Sequence, residues 1–154
     1  MKYLIALLAV AGLVVSAMAL HVHNMDPNAA PPCAVTEKWD CGTVNHSRFS
    51  VFPPRTFDED PASKTLHVPV ATVGIAGYAL IAIVALMGRL RLVLWLAQAG
   101  FFCAAFLSYL EAYVIEKWCI YCVWSQAIVT AIVLATALAL AFRRRASESD
   151  WLGA

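Results

Sequence analysis

The sequence predicts an all-α integral membrane protein, a bundle of four transmembrane helices with a long external loop that contains a short amphipathic helix. Composition gives the first reason. Of 154 residues, 62% are hydrophobic and only 14% are charged, a balance that a soluble domain of this length does not need. The second reason is that the apolar residues gather into four uncharged runs, at about 3–20, 68–88, 92–110 and 118–142. The third is that cationic residues stand at every second junction between them. The whole chain, 1–154, reads as one membrane domain.

Taken in order, each run crosses or nearly crosses a hydrocarbon core about 30 Å thick at roughly 1.5 Å of helix rise per residue. All are too long for barrel strands, and an open backbone cannot be satisfied in lipid except as helix. The first run begins after Lys2 and ends on Ala17-Met18-Ala19, which also resembles a cleavable secretory signal. Retention is expected, because Leu20 prolongs the run, the basic start is a single lysine, and four spans pair more naturally than three. Lys2, the Arg89 and Arg91 turn and Arg143-Arg144-Arg145 mark three cytoplasmic segments, as the positive-inside bias requires for an even number of crossings with both termini inside. The 21–67 segment is net acidic and external, and Glu111, Glu116 and Lys117 lie in the other external turn.

Within the external loop, residues 26–32 are rich in proline and read as turn and extended chain. From Asp40 to Phe52, Val44, Phe49 and Phe52 recur roughly as one face of a short helix that lies on the membrane surface or on top of the bundle. Pro53-Pro54 ends that segment, and the acidic stretch 58–61 is expected to be mobile.

Four of the five cysteines fall on the external side: Cys33 and Cys41 in the loop, and Cys119-Ile120-Tyr121-Cys122 at the start of the last run. A helix N-terminus favours thiolate over thiol, and thioredoxin-like proteins place a C-x-x-C pair there. For Cys33 and Cys41 alone, a structural disulfide is the simpler reading in an oxidising compartment. A zinc site is disfavoured, since a loop on the oxidising side and a membrane helix end rarely share one, and no metal is expected. Two adjacent pairs suit a relay, in which thiol–disulfide exchange carries two electrons from a soluble partner inward to a lipid-soluble quinone. Cys122, one turn deeper than Cys119, is the better placed thiolate for the last step.

Other residues carry less. Cys103, in the middle of the third run, reads as packing. His21, His23, His46 and His67 sit near the outer surface, and His46 is close enough in sequence to influence Cys41. Trp39, Trp118, Tyr121 and Trp124 fit an interfacial aromatic belt, with Trp118, Tyr121 and Phe49 as alternative pocket walls. Glu111 and Glu116 read as solvated rim charges, and Arg143 to Arg145 as an anchor that also touches anionic lipid. No patch suited to nucleic acid is present.

Together these residues resemble the vitamin K epoxide reductase homologues, in particular the bacterial disulfide-forming members without a fused thioredoxin domain. The resemblance rests on Cys33 and Cys41, Ser47 six residues after Cys41, Gly74 to Tyr78, Tyr109-Leu110, and Cys119-Ile120-Tyr121-Cys122. It implies a four-helix bundle around a quinone, of ubiquinone, menaquinone or vitamin K type, in a bacterial inner membrane. It also implies that Cys33 meets a periplasmic or luminal thioredoxin-like (DsbA-like) partner, that Cys41 attacks Cys119, and that Cys122 is released beside the quinone. Ser47 would line the same pocket, although a serine in a polar loop is also an ordinary surface residue. The animal epoxide reductases use an asparagine and a tyrosine where Val70 and Gln126 stand here, which favours simple quinone reduction over epoxide reduction. Gln126, four residues after Cys122 on one helical face, offers an amide either to a quinone carbonyl or to a neighbouring helix. A non-enzymatic four-span protein with structural disulfides is the alternative from another class. A second kind of quinone-linked thiol oxidase carries its C-x-x-C in the first external loop, whereas here the motif opens the last run.

Overall fold

A computed structural model describes residues 1–26, 31, 33–55 and 66–152, with side chains up to Arg145. The expectations for residues 27–30, 32 and 58–61 lie outside the described residues. The chain is predominantly helical: α1 (Lys2–His23), α2 (Cys41–Asn45), α3 (Val70–Leu86), α4 (Leu90–Leu110) and α5 (Ile120–Leu152). A two-stranded antiparallel ribbon pairs β1 (Val51–Phe52) with β2 (Val68–Pro69). Among the described residues, three helical segments are long and apolar enough to cross a membrane: Lys2–His23, Leu90–Ile115 and Ile120–Arg145. Their outward faces carry Leu7, Trp95, Phe102, Phe106, Leu134 and Leu138 in the open, a continuous apolar exterior that suits lipid rather than water.

Four elements differ from the sequence expectation, each for a local reason. The second run forms a helix of 17 residues, about 26 Å long, because its first two residues belong to the ribbon. Pro69 pushes Val68 into extended backbone and stands at the N-cap of α3; the next free N–H, that of Val70, donates to the Ser50 carbonyl at 2.8 Å. The third run does not stop at Leu110 but continues as a π-helical turn, Glu111–Ile115, until Glu116 takes a left-handed conformation (φ 57°). The expected amphipathic segment over 40–52 shortens to α2, after which Val51 turns inward (2% exposed) and Phe52 outward (70% exposed). At the other end α5 runs through Arg143–Arg145 to Leu152, since 143–152 contains no glycine or proline to stop it.

The helices form a ring in which α1 touches α3 and α5, and α4 touches α5 and α3. Small residues make the first of these contacts possible. A Cβ on Gly12 would lie 2.4 Å from the Tyr78 ring, and one on Gly74 would lie 2.9 Å from Ser16 Oγ. Tyr78 passes over Gly12 and its hydroxyl donates to the Ser125 carbonyl at 2.9 Å, so one side chain joins α3 to α5 across α1. The tight turn after α3 closes with Gly88 at φ 74°, its N–H on Ala85 O and that of Arg89 on Val84 O, the paired bonds of a Schellman end.

Packing is uneven along the bundle. The dry core, with Ile5, Ala9, Ala85, Val93, Ala97 and Ile132 essentially inaccessible, fills one half. At that end Lys2, Gly88 and Arg143 converge around a shallow depression. In the other half the helices part around a cavity of about 370 Å³, and the described cysteine pairs lie above it.

Candidate active site

Two helix starts build the site. Asp40 caps α2: its carboxylate accepts the Thr43 N–H at 3.2 Å and the Thr43 hydroxyl at 2.7 Å, and the hydroxyl contact first of all holds the Asp40 carboxyl below its usual range. Cys41 is thereby the first residue of a helix. Cys119 stands one residue before α5, in the capping position that Asp40 holds on α2, its carbonyl accepting the Val123 N–H at 3.1 Å. The two starts are tied by backbone. Trp118 N–H donates to Lys38 O at 2.8 Å and Asp40 N–H to Trp118 O at 3.1 Å, a parallel bridge between Trp39 and Trp118 whose rings stand 6.3 Å apart. The Lys117 ammonium adds a bond to Glu37 O. This bridge sets Cys41 beside Cys119.

The sulfurs then sort themselves. Cys33 and Cys41 form a disulfide, with Cα atoms 5.8 Å apart. Cys119 and Cys122 are free thiols. Cys33, Cys41 and Cys119 are buried in one small cluster with Val22 and Val44, against which Cys122 and Tyr121 pack. Asn45 spans the two pairs, its amide donating to Cys41 O at 2.9 Å and to Cys119 Sγ at 3.5 Å. The Cys122 thiol, donating to the Cys119 sulfur, is the main influence that holds Cys119 below the ordinary thiol range, against the effect of burial.

The cavity lies directly beneath. Its wall includes Ser47 and Phe49 from the loop, Tyr121, Cys122 and Ser125 from α5, and Glu111 from the π-helical turn. Of the residues expected to hold a ligand, Ser47, Phe49, Tyr121 and Cys122 all face it, and Ser47 Oγ is buried with no partner among the described residues. Gln126 is not in the wall. The face of α5 that lines the cavity runs through Cys122, Ser125 and Val129, and the amide oxygen of Gln126 is buried elsewhere without a partner among the described residues.

Two expectations from the sequence are corrected. Cys103 is not packed but exposed on α4, where it also lines the cavity. Glu111 is not a rim charge; it is 2% exposed, and one carboxylate oxygen accepts the Cys119 N–H at 3.1 Å. Cys33, the cysteine expected to meet a soluble partner, is only 5% exposed. Two histidines fasten the loop: His23 Nδ1 lies 2.6 Å from Asn45 O, while the His46 ring stacks on it and contacts Gly42 O and Met25 O. Asn45 and Glu111 are the functional candidates that pattern reading passed over; Asp40, five residues before Asn45 and one before Cys41, was the one available sign that a helix start lay there.

The geometry agrees with comparison to known proteins. Residues 3–138 match the model of the vitamin K epoxide reductase family. The chain belongs to that family, and membership supports a membrane oxidoreductase that works by thiol–disulfide exchange. No curated protein matches it.

Proposed function

We propose that this chain is a four-span bacterial inner-membrane enzyme, of the kind without a fused thioredoxin domain, that re-oxidises a thioredoxin-like partner and reduces a quinone. Both termini would face the cytoplasm and the redox loop the periplasm, because the cationic junctions gather at the end of the bundle opposite the cysteines. The observation that carries the reading is that Cys122 belongs at once to the buried sulfur cluster and to the wall of the apolar cavity. A volume of about 370 Å³ is in the ordinary range for a small-molecule site, and the unpartnered Ser47 hydroxyl suits a carbonyl acceptor.

The sulfur chemistry balances as follows. A partner dithiol reduces the Cys33–Cys41 disulfide and leaves as a disulfide. Cys41 thiolate attacks Cys119 of an oxidised inner pair, which breaks the Cys119–Cys122 bond and releases Cys122 as thiolate. Cys33 then displaces Cys119 from Cys41. The outcome is an outer disulfide above an inner dithiol, the pairing found here. A quinone in the cavity supplies the sink for two electrons and two protons when the inner disulfide re-forms. Because Cys33 is nearly closed off, the first exchange requires the loop to lift. Val70 in the cavity wall and Gln126 outside it leave this site without the polar pair that the animal epoxide reductases use, which favours a plain quinone over an epoxide.

The test is thiol trapping with mass mapping of Cys33→Ser and Cys122→Ser. Cys33→Ser should accumulate a Cys41–Cys119 disulfide. A protein whose two pairs stay oxidised without quinone and never form that mixed disulfide is the structural alternative instead.

A further inference from the structure

Among the described residues Glu111 is the one acidic side chain in the cavity wall, and the relay just described gives it no task. It is 2% exposed. Its Oε2 accepts the Cys119 N–H at 3.1 Å, while its Oε1 is buried with no partner among the described residues. Among the described residues no lysine or arginine lines the cavity. A carboxyl group in such surroundings is costly unless it is neutral or has work for its proton, and capping a helix N–H needs only one of its two oxygens. It also opens a π-helical turn, a departure from α-helix that recurs at functional sites. The other titratable groups in the wall are His23 from α1, Tyr78 from α3, Cys103 from α4, and Tyr121 and Cys122 from α5. Of these, Cys122 lies three residues after Cys119, whose N–H Glu111 holds, and lines the same cavity.

Resting on the function proposed above, we propose that Glu111 is the proton carrier of quinone reduction: its free oxygen takes the Cys122 proton and returns it to a quinone oxygen. The step balances. Two sulfurs lose two electrons and join as Cys119–Cys122; the electrons reduce the quinone to hydroquinone. One proton reaches it from Cys122 through Glu111. The second is that of the Cys119 thiol or, when that sulfur is already thiolate, one drawn from the external solution. Holding Cys119 N–H with one oxygen leaves the other without a partner among the described residues, on a side chain that lines the cavity.

The experiment uses the full chain in lipid nanodiscs, with Glu111→Gln and Glu111→Asp. Glutamine keeps the shape and the acceptor for the Cys119 N–H but carries no proton. The first readout needs no quinone: the rate of Cys122 alkylation against pH, read by mass mapping with the outer pair oxidised. The wild type should show two titration steps, and Glu111→Gln one, with faster alkylation at neutral pH because the carboxylate no longer sits beside the thiol. In parallel, reduction of a short-chain quinone should fall by about 100-fold in Glu111→Gln and recover in part in Glu111→Asp. A variant that speeds alkylation while slowing turnover is what a merely structural role cannot produce. An alkylation profile in both variants that superimposes on the wild type overturns the role of Glu111. A wild type that reduces no quinone, whatever its alkylation profile, overturns the underlying function instead.

Discussion

Asn45 is the residue on which the contact between the two cysteine pairs turns. One amide group reaches the backbone of Cys41 and the sulfur of Cys119, so it orients the outer pair and stabilises negative charge on the inner one together. A hydrogen bond to a charged group contributes about 1.5–3 kcal/mol. Asn45→Ala should therefore move the midpoint of Cys119 alkylation upward by about one pH unit or more, while a midpoint that stays put shows that the amide is incidental. Ser47 acts at the cavity instead. Ser47→Ala should raise KM for quinone roughly fivefold, the worth of one net hydrogen bond, with little change in kcat and with the Cys33–Cys41 disulfide intact; an equal loss in kcat would assign the hydroxyl to the chemical step.

At the scale of elements, the bridge between Trp39 and Trp118 brings two distant helix starts together. Trp118→Pro removes the N–H that donates to Lys38 O and keeps the chain extended. In a Cys33→Ser, Cys122→Ser background, the yield of the Cys41–Cys119 disulfide should drop about tenfold, the equivalent of roughly 1.4 kcal/mol; an undiminished yield means that the bridge does not set the approach. Much of this was readable from residues. Four apolar runs gave four packed helices, Cys119 stands at a helix start, and the six-residue step from Cys41 to Ser47 places the serine in the cavity. What was hidden has physical causes. Glu111 sits beside Glu116 and Lys117 in sequence and so reads as part of a wet rim, but the π-helical turn extends α4 and rotates the carboxyl inward. Counting four residues from Cys122 selects Gln126, whereas the cavity face of α5 follows the three-then-four step to Ser125 and Val129. Asn45 owes its role to a tertiary contact 74 positions away, which no local pattern announces.

For the whole molecule, the two halves of the bundle do different work. The half bounded by Lys2, Gly88 and Arg143 is dry and close-packed, and it gives the ring its rigidity. The other half forgoes that packing for a cavity, with the sulfur cluster as its roof. In the proposed relay, an outer disulfide over an inner dithiol is the state in which the reducing equivalents have passed inward and await an acceptor. The most direct test mixes this form, anaerobically and without any soluble partner, with one equivalent of a short-chain quinone, and follows the Cys119 and Cys122 thiols by mass mapping. The account predicts that both thiols disappear into a Cys119–Cys122 disulfide as one hydroquinone forms per chain, with Cys33–Cys41 unchanged. An inner pair that stays dithiol in the presence of quinone would contradict it.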